Sequence, residues 1–174
     1  MRPIDAFDHV QSSRHYEVTL LAYLDYQCPY CAHADQVVRR VRRYLGDRLR
    51  YVVRNFPIIA VHPLARIAAE VAEAAGAQRK FWEMYGLLFE HQRRLGLALF
   101  LELAQRLELE RDRFFEDLEN AVYRPRIRLD IADGMQSGVN GTPCFFIDGV
   151  RHDGAWDVDA LRTALEAPSA HARR

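Results

Sequence analysis

Two cysteines, Cys28 and Cys31, stand at the point where an apolar run gives way to a helical pattern. Residues 17–24 (Glu-Val-Thr-Leu-Leu-Ala-Tyr-Leu) form a nearly continuous apolar stretch of strand length. Such a run suits a strand covered on both faces of a parallel or mixed sheet. After Asp25-Tyr26-Gln27-Cys28, Pro29 occupies a first-turn position, where its missing N–H costs nothing. Ala34, Val37, Val38, Val41 and Leu45 then recur at helical spacing among Arg39, Arg40, Arg42 and Arg43, and Gly46 supplies a stop. Residues 49–56 read as a second strand ended by Pro57. Strand, helix, strand in that order predicts a parallel βαβ unit.

The spacing Cys28-Pro29-Tyr30-Cys31 carries the chemistry. A thiol at a helix N-terminus faces unpaired backbone N–H groups and the positive end of the dipole, which favour its thiolate. Cys28 is therefore the candidate nucleophile. Cys31, one turn inside the helix, is the candidate resolving thiol that releases a mixed disulfide. Three cysteines in 174 residues are no disulfide framework. A structural zinc site takes four Cys or His ligands, and no second Cys-x-x-Cys or paired-His motif follows. His9, His15, His62, His91 and His152 show no ligand spacing, so no metal and no cofactor is expected. The third cysteine, Cys144, reads either as a small buried strand residue or as a third redox thiol able to reach the pair.

The remainder is organised simply. Residues 1–16 are polar and weakly patterned, an arm or loosely attached lead-in. From His62-Pro63 to residue 137 the period is helical, with candidates at 64–77, 81–91, 97–107, 112–119 and 126–137, and no convincing strand. Gly138-Val139-Asn140-Gly141-Thr142-Pro143 breaks the last helix. Residues 144–147 form a short strand, Asp148-Gly149 a hairpin turn, 150–153 a return strand and 157–166 a closing helix. Arg124, Arg126 and Arg128 read as a solvated face. Lys plus Arg and Asp plus Glu number 24 each, which suggests neither a nucleic-acid nor a membrane partner. Acids near the N-terminus interrupt any signal-peptide stretch, which predicts a cytoplasmic protein, or an exported one had a leader been removed.

The landmarks Val18-Thr19-Leu20, Asp25 to Cys31, Arg54-Asn55-Phe56-Pro57, His62-Pro63, Phe81-Trp82-Glu83-Met84 and 138–143 followed by Phe145-Phe146-Ile147-Asp148-Gly149 resemble the DsbA-family thioredoxin-like proteins, in particular their soluble or antiporter-fused bacterial branch. The resemblance implies an α/β thioredoxin fold with a central mixed β-sheet and an all-helical insertion between its halves. One domain is expected: arm 1–16, first half 17–57, insertion 58–137, second half 138–167 and a frayed tail 168–174. It further implies a cis bond at Thr142-Pro143 facing the dithiol. There the Thr142 backbone, with Pro143, Pro29 and Tyr30, would bind an extended substrate by β-augmentation. Expected partners are protein substrates carrying disulfides or dithiols, and a redox partner of thioredoxin or glutathione type.

Three positions depart from that family. A buried acid commonly lies six residues before the nucleophile; here it is Ala22, and Asp25 reads as a local turn group. Cys144 stands where a threonine is usual. Pro29-Tyr30 carries no positive charge, and the same four residues occur in glutaredoxins, so a less stabilised thiolate and a less oxidising disulfide are expected. His33 is expected to face solvent. Tyr23, Tyr26, Phe56, Phe81, Trp82, Phe145, Phe146 and Trp156 read mainly as core. Two other readings remain: a glutathione-transferase- or isomerase-like enzyme on the same fold, against which Cys31 argues, and a non-catalytic redox-sensing or partner-binding module.

Overall fold

A computed structural model describes residues 1–167. Along the chain run β1 (His9–Gln11), β2 (Val18–Leu24), α1 (Pro29–Leu45), β3 (Leu49–Asn55), α2 (Ala65–Gly76), α3 (Phe81–Glu90), α4 (Leu97–Arg106), α5 (Arg111–Glu119), α6 (Arg124–Gln136), β4 (Cys144–Ile147), β5 (Val150–His152) and α7 (Val158–Glu166). The tail expected at 168–174 lies outside the described residues.

The strands form one mixed sheet in the order β1-β3-β2-β4-β5. β2 and β3 are parallel, joined through α1 as the βαβ pattern requires, and the other neighbours are antiparallel. β2 is buried at all seven positions because it lies at the centre and is covered on both faces. Strand alternation sorts its side chains. Leu20, Ala22 and Leu24 join Val37, Val38 and Val41 of α1 and the apolar faces of α2–α5 in the larger core. Leu21 and Tyr23 join Val52, Phe56, Val139, Cys144 and Phe146 in a smaller core on the other face. This is the thioredoxin fold with its helical insertion between β3 and β4. At the β4–β5 hairpin, Asp148 and Gly149 take φ of 46° and 83°, the positive values that a two-residue turn needs.

The N-terminal segment is not a loose arm. His9–Gln11 pairs antiparallel with β3, as His9 with Val53, Val10 with Val52 and Gln11 with Tyr51. Ahead of it, Asp8 meets Arg54 of β3, whose side chain is fully buried. Arg54 donates from Nε to Asp8 Oδ1 at 2.8 Å and from Nη2 to Oδ2 at 2.9 Å. It also donates to Asp133 Oδ2 at 2.7 Å and to the carbonyls of Arg2 and Pro3. A buried guanidinium needs anions and carbonyls around it, and the first eight residues supply most of them. Burial alone raises the Asp8 carboxyl; hydrogen bonds and charge from Arg54 outweigh it and hold the group at about 2. A three-residue strand is too short to show periodicity, which is why composition alone makes this segment look detached.

The arginines of α6 also depart from a uniformly solvated face. Arg126 is only 15% exposed at its side chain, donates to the Phe7 carbonyl at 2.6 Å and faces Asp8 and Asp130. Arg124 pairs with Glu70 at 2.9 Å, and Arg128 is exposed.

Candidate active site

Cys28 sits at the N-cap of α1 with an extended backbone, and Pro29 opens the helix. Its carbonyl accepts from the N–H groups of Cys31 at 3.0 Å and Ala32 at 3.3 Å. The helix therefore starts at Cys28 itself, where the unpaired N–H groups of the first turn lie. Cys28 is 4% exposed and Cys31 fully buried, whereas Tyr30 stands out at 67%. All three cysteines are free thiols.

The Thr142–Pro143 bond is cis, and the Cys28 thiol donates to the Thr142 carbonyl oxygen at 3.3 Å. Beside this contact lies a shallow cleft of about 300 Å³, lined among others by Asn140, Thr142, Pro143, His152 and Trp156. The structure thus brings together Cys28, Cys31, Pro29, Tyr30, Thr142 and Pro143. Cys144 borders the same cleft next to Pro143, but its side chain belongs to the other face of the sheet. It pairs with Tyr23 of β2, and strand alternation turns its side chain into the smaller core, on the face opposite the one that holds Cys28 and Cys31. Burial there pushes its thiol up. His33 is exposed, with its ring 5.5 Å from that of Trp156.

The two thiols of the pair are driven apart electrostatically. Cys28 is lowered to about 5: the hydrogen bond from the Cys31 side chain contributes most, burial opposes it, and the Cys31 N–H, the Thr142 side chain and the Tyr30 N–H add to the lowering. Cys31 is pushed far above the ordinary thiol range, first by burial and then by its bond to Cys28. The expectation of a less stabilised thiolate rested on the absence of a positive charge in Pro29-Tyr30; the Cys31 side chain and the first N–H groups of α1 lower Cys28 without such a charge.

Ala22 is fully buried and leaves no carboxylate in β2 beneath the pair. An acid on the same helix face, Asp35, lies one turn past Cys31, is 6% exposed and accepts from Arg39 Nε at 2.7 Å. Asp25 is the local turn group expected, accepting from the Gln27 N–H at 2.8 Å. It is also more. Its other oxygen accepts from the Ile58 N–H and from His62 Nδ1, both at 2.8 Å. Gln92, in the single turn Gln92–Arg94 after α3, donates from Nε2 to the carbonyls of Tyr26 and Cys28, each at 2.8 Å. Neither His62 nor Gln92 stands out as a site residue in the sequence. Their partners lie 37 and 64–66 positions away, and only the His62-Pro63 landmark hinted at the first.

A family model described as thioredoxin matches residues 8–167. The Na(+)/H(+) antiporter NhaA 1 of Salinispora arenicola is 43% identical over 174 residues, covering 99% of this chain and 26% of that protein. The Na(+)/H(+) antiporter NhaA of Herminiimonas arsenicoxydans is 37% identical over 166 residues, covering 95% of this chain and 26% of its own length. The chain therefore spans about a quarter of the length of the curated relatives it matches. Among solved structures, a thioredoxin-like oxidoreductase from Silicibacter pomeroyi DSS-3 superposes with a TM-score of 0.79 at 25% identity, covering 93% of this chain and 92% of that one. The thiol-disulfide exchange protein alpha-DsbA2 from Wolbachia pipientis shares the fold, with a TM-score of 0.80 at 19% identity over 93% and 87% of the two chains.

Proposed function

Because this chain belongs to the thioredoxin family, as a DsbA-like domain, we propose that it is a thiol–disulfide oxidoreductase working through a mixed disulfide on Cys28. The observation that carries this reading is the placement of Cys28 at the N-cap of α1, its sulfur on the Thr142 carbonyl and the buried Cys31 one turn further on, an arrangement that lowers Cys28 to about 5 and raises Cys31.

In the reducing direction the Cys28 thiolate attacks one sulfur of a substrate disulfide, forming Cys28–S–S–substrate and releasing the other sulfur as a thiolate. Cys31 then gives its proton to the released thiolate and attacks the Cys28 sulfur. The Cys28–substrate bond breaks, the substrate leaves as a thiolate that takes up a proton, and the pair is left as a disulfide. Two electrons pass from the dithiol to the substrate. The oxidising direction is the reverse. The burial of Cys31 supports its role as the later thiol, since Cys28 keeps 4% of its surface exposed and Cys31 none. Thr142, Pro143, Pro29 and Tyr30 would hold an extended segment of a disulfide- or dithiol-bearing protein, and a thioredoxin- or glutathione-type system would restore the starting state.

The test is turnover of a disulfide-bonded peptide with a dithiol reductant. Activity should vanish in Cys28→Ser, and Cys31→Ser should accumulate a covalent peptide adduct on Cys28. Turnover that survives Cys28→Ser overturns the reading. The names of the longer relatives favour a second reading, in which the dithiol serves as a redox module attached to a transporter; a folded protein that forms the Cys28 adduct but never turns over points to it.

A further inference from the structure

Asp25 touches both cysteines through its own peptide groups. Its N–H donates to the Cys31 sulfur at 3.4 Å, and its carbonyl accepts from the Cys28 N–H at 3.2 Å. Its side chain, 1% exposed, points the other way and is held at three places. One hold is local, the Gln27 N–H. The other two, the Ile58 N–H and His62 Nδ1, come from the segment leading into α2. His62 keeps 19% of its side chain exposed.

This arrangement matters because of what Cys31 lacks. Its sulfur is fully buried and receives no solvation from water, and Ala22 offers no carboxylate in β2. In either direction of exchange a negative charge develops on that sulfur, as attacking thiolate or as leaving group. The Asp25 N–H lies where it stabilises that charge, and it lowers the Cys31 thiol against the effect of burial. A peptide N–H is useful only if its plane is fixed, and a turn between strand and helix has no ladder to fix it.

We propose that the His62–Asp25 pair is a positioning device for Cys31: His62 and the 58–62 turn anchor the Asp25 carboxylate so that its N–H stays aimed at the Cys31 sulfur. The pair does the work for the resolving thiol that a buried acid at position 22 would otherwise do. This inference rests on the mixed-disulfide reading above. It assigns His62 to the second chemical step and leaves the first to Cys28.

The experiment separates the steps. Reduced protein, with Cys144→Ser in every sample so that only the pair is counted, is mixed with dithiobis(nitrobenzoate) in stopped flow. The first thionitrobenzoate released reports attack by Cys28 and the second reports resolution by Cys31. His62→Ala is expected to leave the first phase unchanged and to slow the second about ten-fold, the scale of a weakened hydrogen bond to a charged group. His62→Asn, whose side-chain amide stands in for Nδ1–H, is expected to recover the second phase. Asp25→Asn, which keeps the shape but loses one accepting oxygen, is the variant to use if His62→Ala fails to fold, and it should slow the same phase. A second phase unchanged by these breaks, both phases slowed alike, or no recovery in His62→Asn overturns the proposal. A wild-type first phase that persists in Cys28→Ser overturns the mixed-disulfide reading itself, and the proposal with it.

Discussion

The Cys28 thiol lies 3.3 Å from the carbonyl oxygen of Thr142, across a cis peptide bond. That contact is favourable only while the sulfur carries its proton, since a thiolate and a carbonyl oxygen are both acceptors. Ionisation of Cys28 therefore leaves the Thr142 carbonyl without that donor. Charge on the sulfur is held meanwhile by Cys31 and the first N–H groups of α1.

Alkylation of Cys28 by iodoacetamide should rise with pH to a plateau with a midpoint at about 5. Because the Cys31 side chain contributes most to that lowering, Cys31→Ala should move the midpoint upward by about one unit or more. An unmoved midpoint in Cys31→Ala would place the stabilisation in the backbone alone.

The stability of the reduced protein should depend on pH in two opposed ways. Cys28 has its folded value depressed from 9.0 to about 5, so its contribution is full above pH 9 and is lost as pH falls through 5. Cys31 is shifted the other way, so above pH 9 the unfolded chain ionises it more readily and stability falls. Urea midpoints of the reduced wild type, measured against Cys28→Ser, should climb between pH 5 and 9. The oxidised protein, which has neither thiol, should lack both trends.

Arg54→Ala should destabilise the protein by about 3–5 kcal/mol, because it strands buried carboxylates. Asp8 and Asp133 each lose a direct partner, and the carbonyls of Arg2 and Pro3 lose a donor. With Arg54 present, Asp8 contributes stability above its ordinary value of 3.8 that is lost as pH falls through about 2. The deficit of the variant should therefore be largest near neutrality and shrink in acid. Equilibrium urea unfolding at several pH values checks both points, and hydrogen exchange should show β1 opening first.

Two glycines in helices should respond differently to alanine. A Cβ on Gly134 of α6 would lie 2.9 Å from two ring carbons of Phe56 and 3.0 Å from Tyr23, inside the smaller core. Rigid rings cannot yield, so Gly134→Ala should cost about 1–3 kcal/mol. At Gly86 the close atom is the end of the flexible Arg39 side chain, 2.9 Å away. That group can swing aside, so Gly86→Ala should be near neutral or gain the ordinary helix preference of about 1 kcal/mol. Thermal unfolding of both variants makes the comparison.

Much of this protein was legible locally. The all-buried strand 18–24, the proline-opened helix, the helical block and the closing hairpin come from residues within one or two turns of each other, and periodicity reads such neighbours directly. The dithiol was legible for the same reason, since its spacing and its place at a helix start are local facts. Its electrostatics were only half legible. The dipeptide between the cysteines shows no charge, but the weight of N–H donors on Cys28 depends on how tightly the turn is folded.

What the sequence by itself determined is the order of elements and the place of the Cys28–Cys31 pair at a helix start. Tertiary structure decided which groups serve that pair. A charged residue in an apolar strand, such as Arg54, does not announce its anions, because Asp8 and Asp133 lie 46 and 79 positions away. His62 and Gln92 meet the cysteine turn across gaps just as wide, and no repeating pattern links such positions. The face taken by Cys144 needed the pairing register of β4 with β2, because Phe145 and Phe146 are equally apolar and conceal the parity of the strand. Hydrophobic period encodes what a residue does among its neighbours; burial, charge pairing and the aim of a single N–H are set by what the folded chain packs against it.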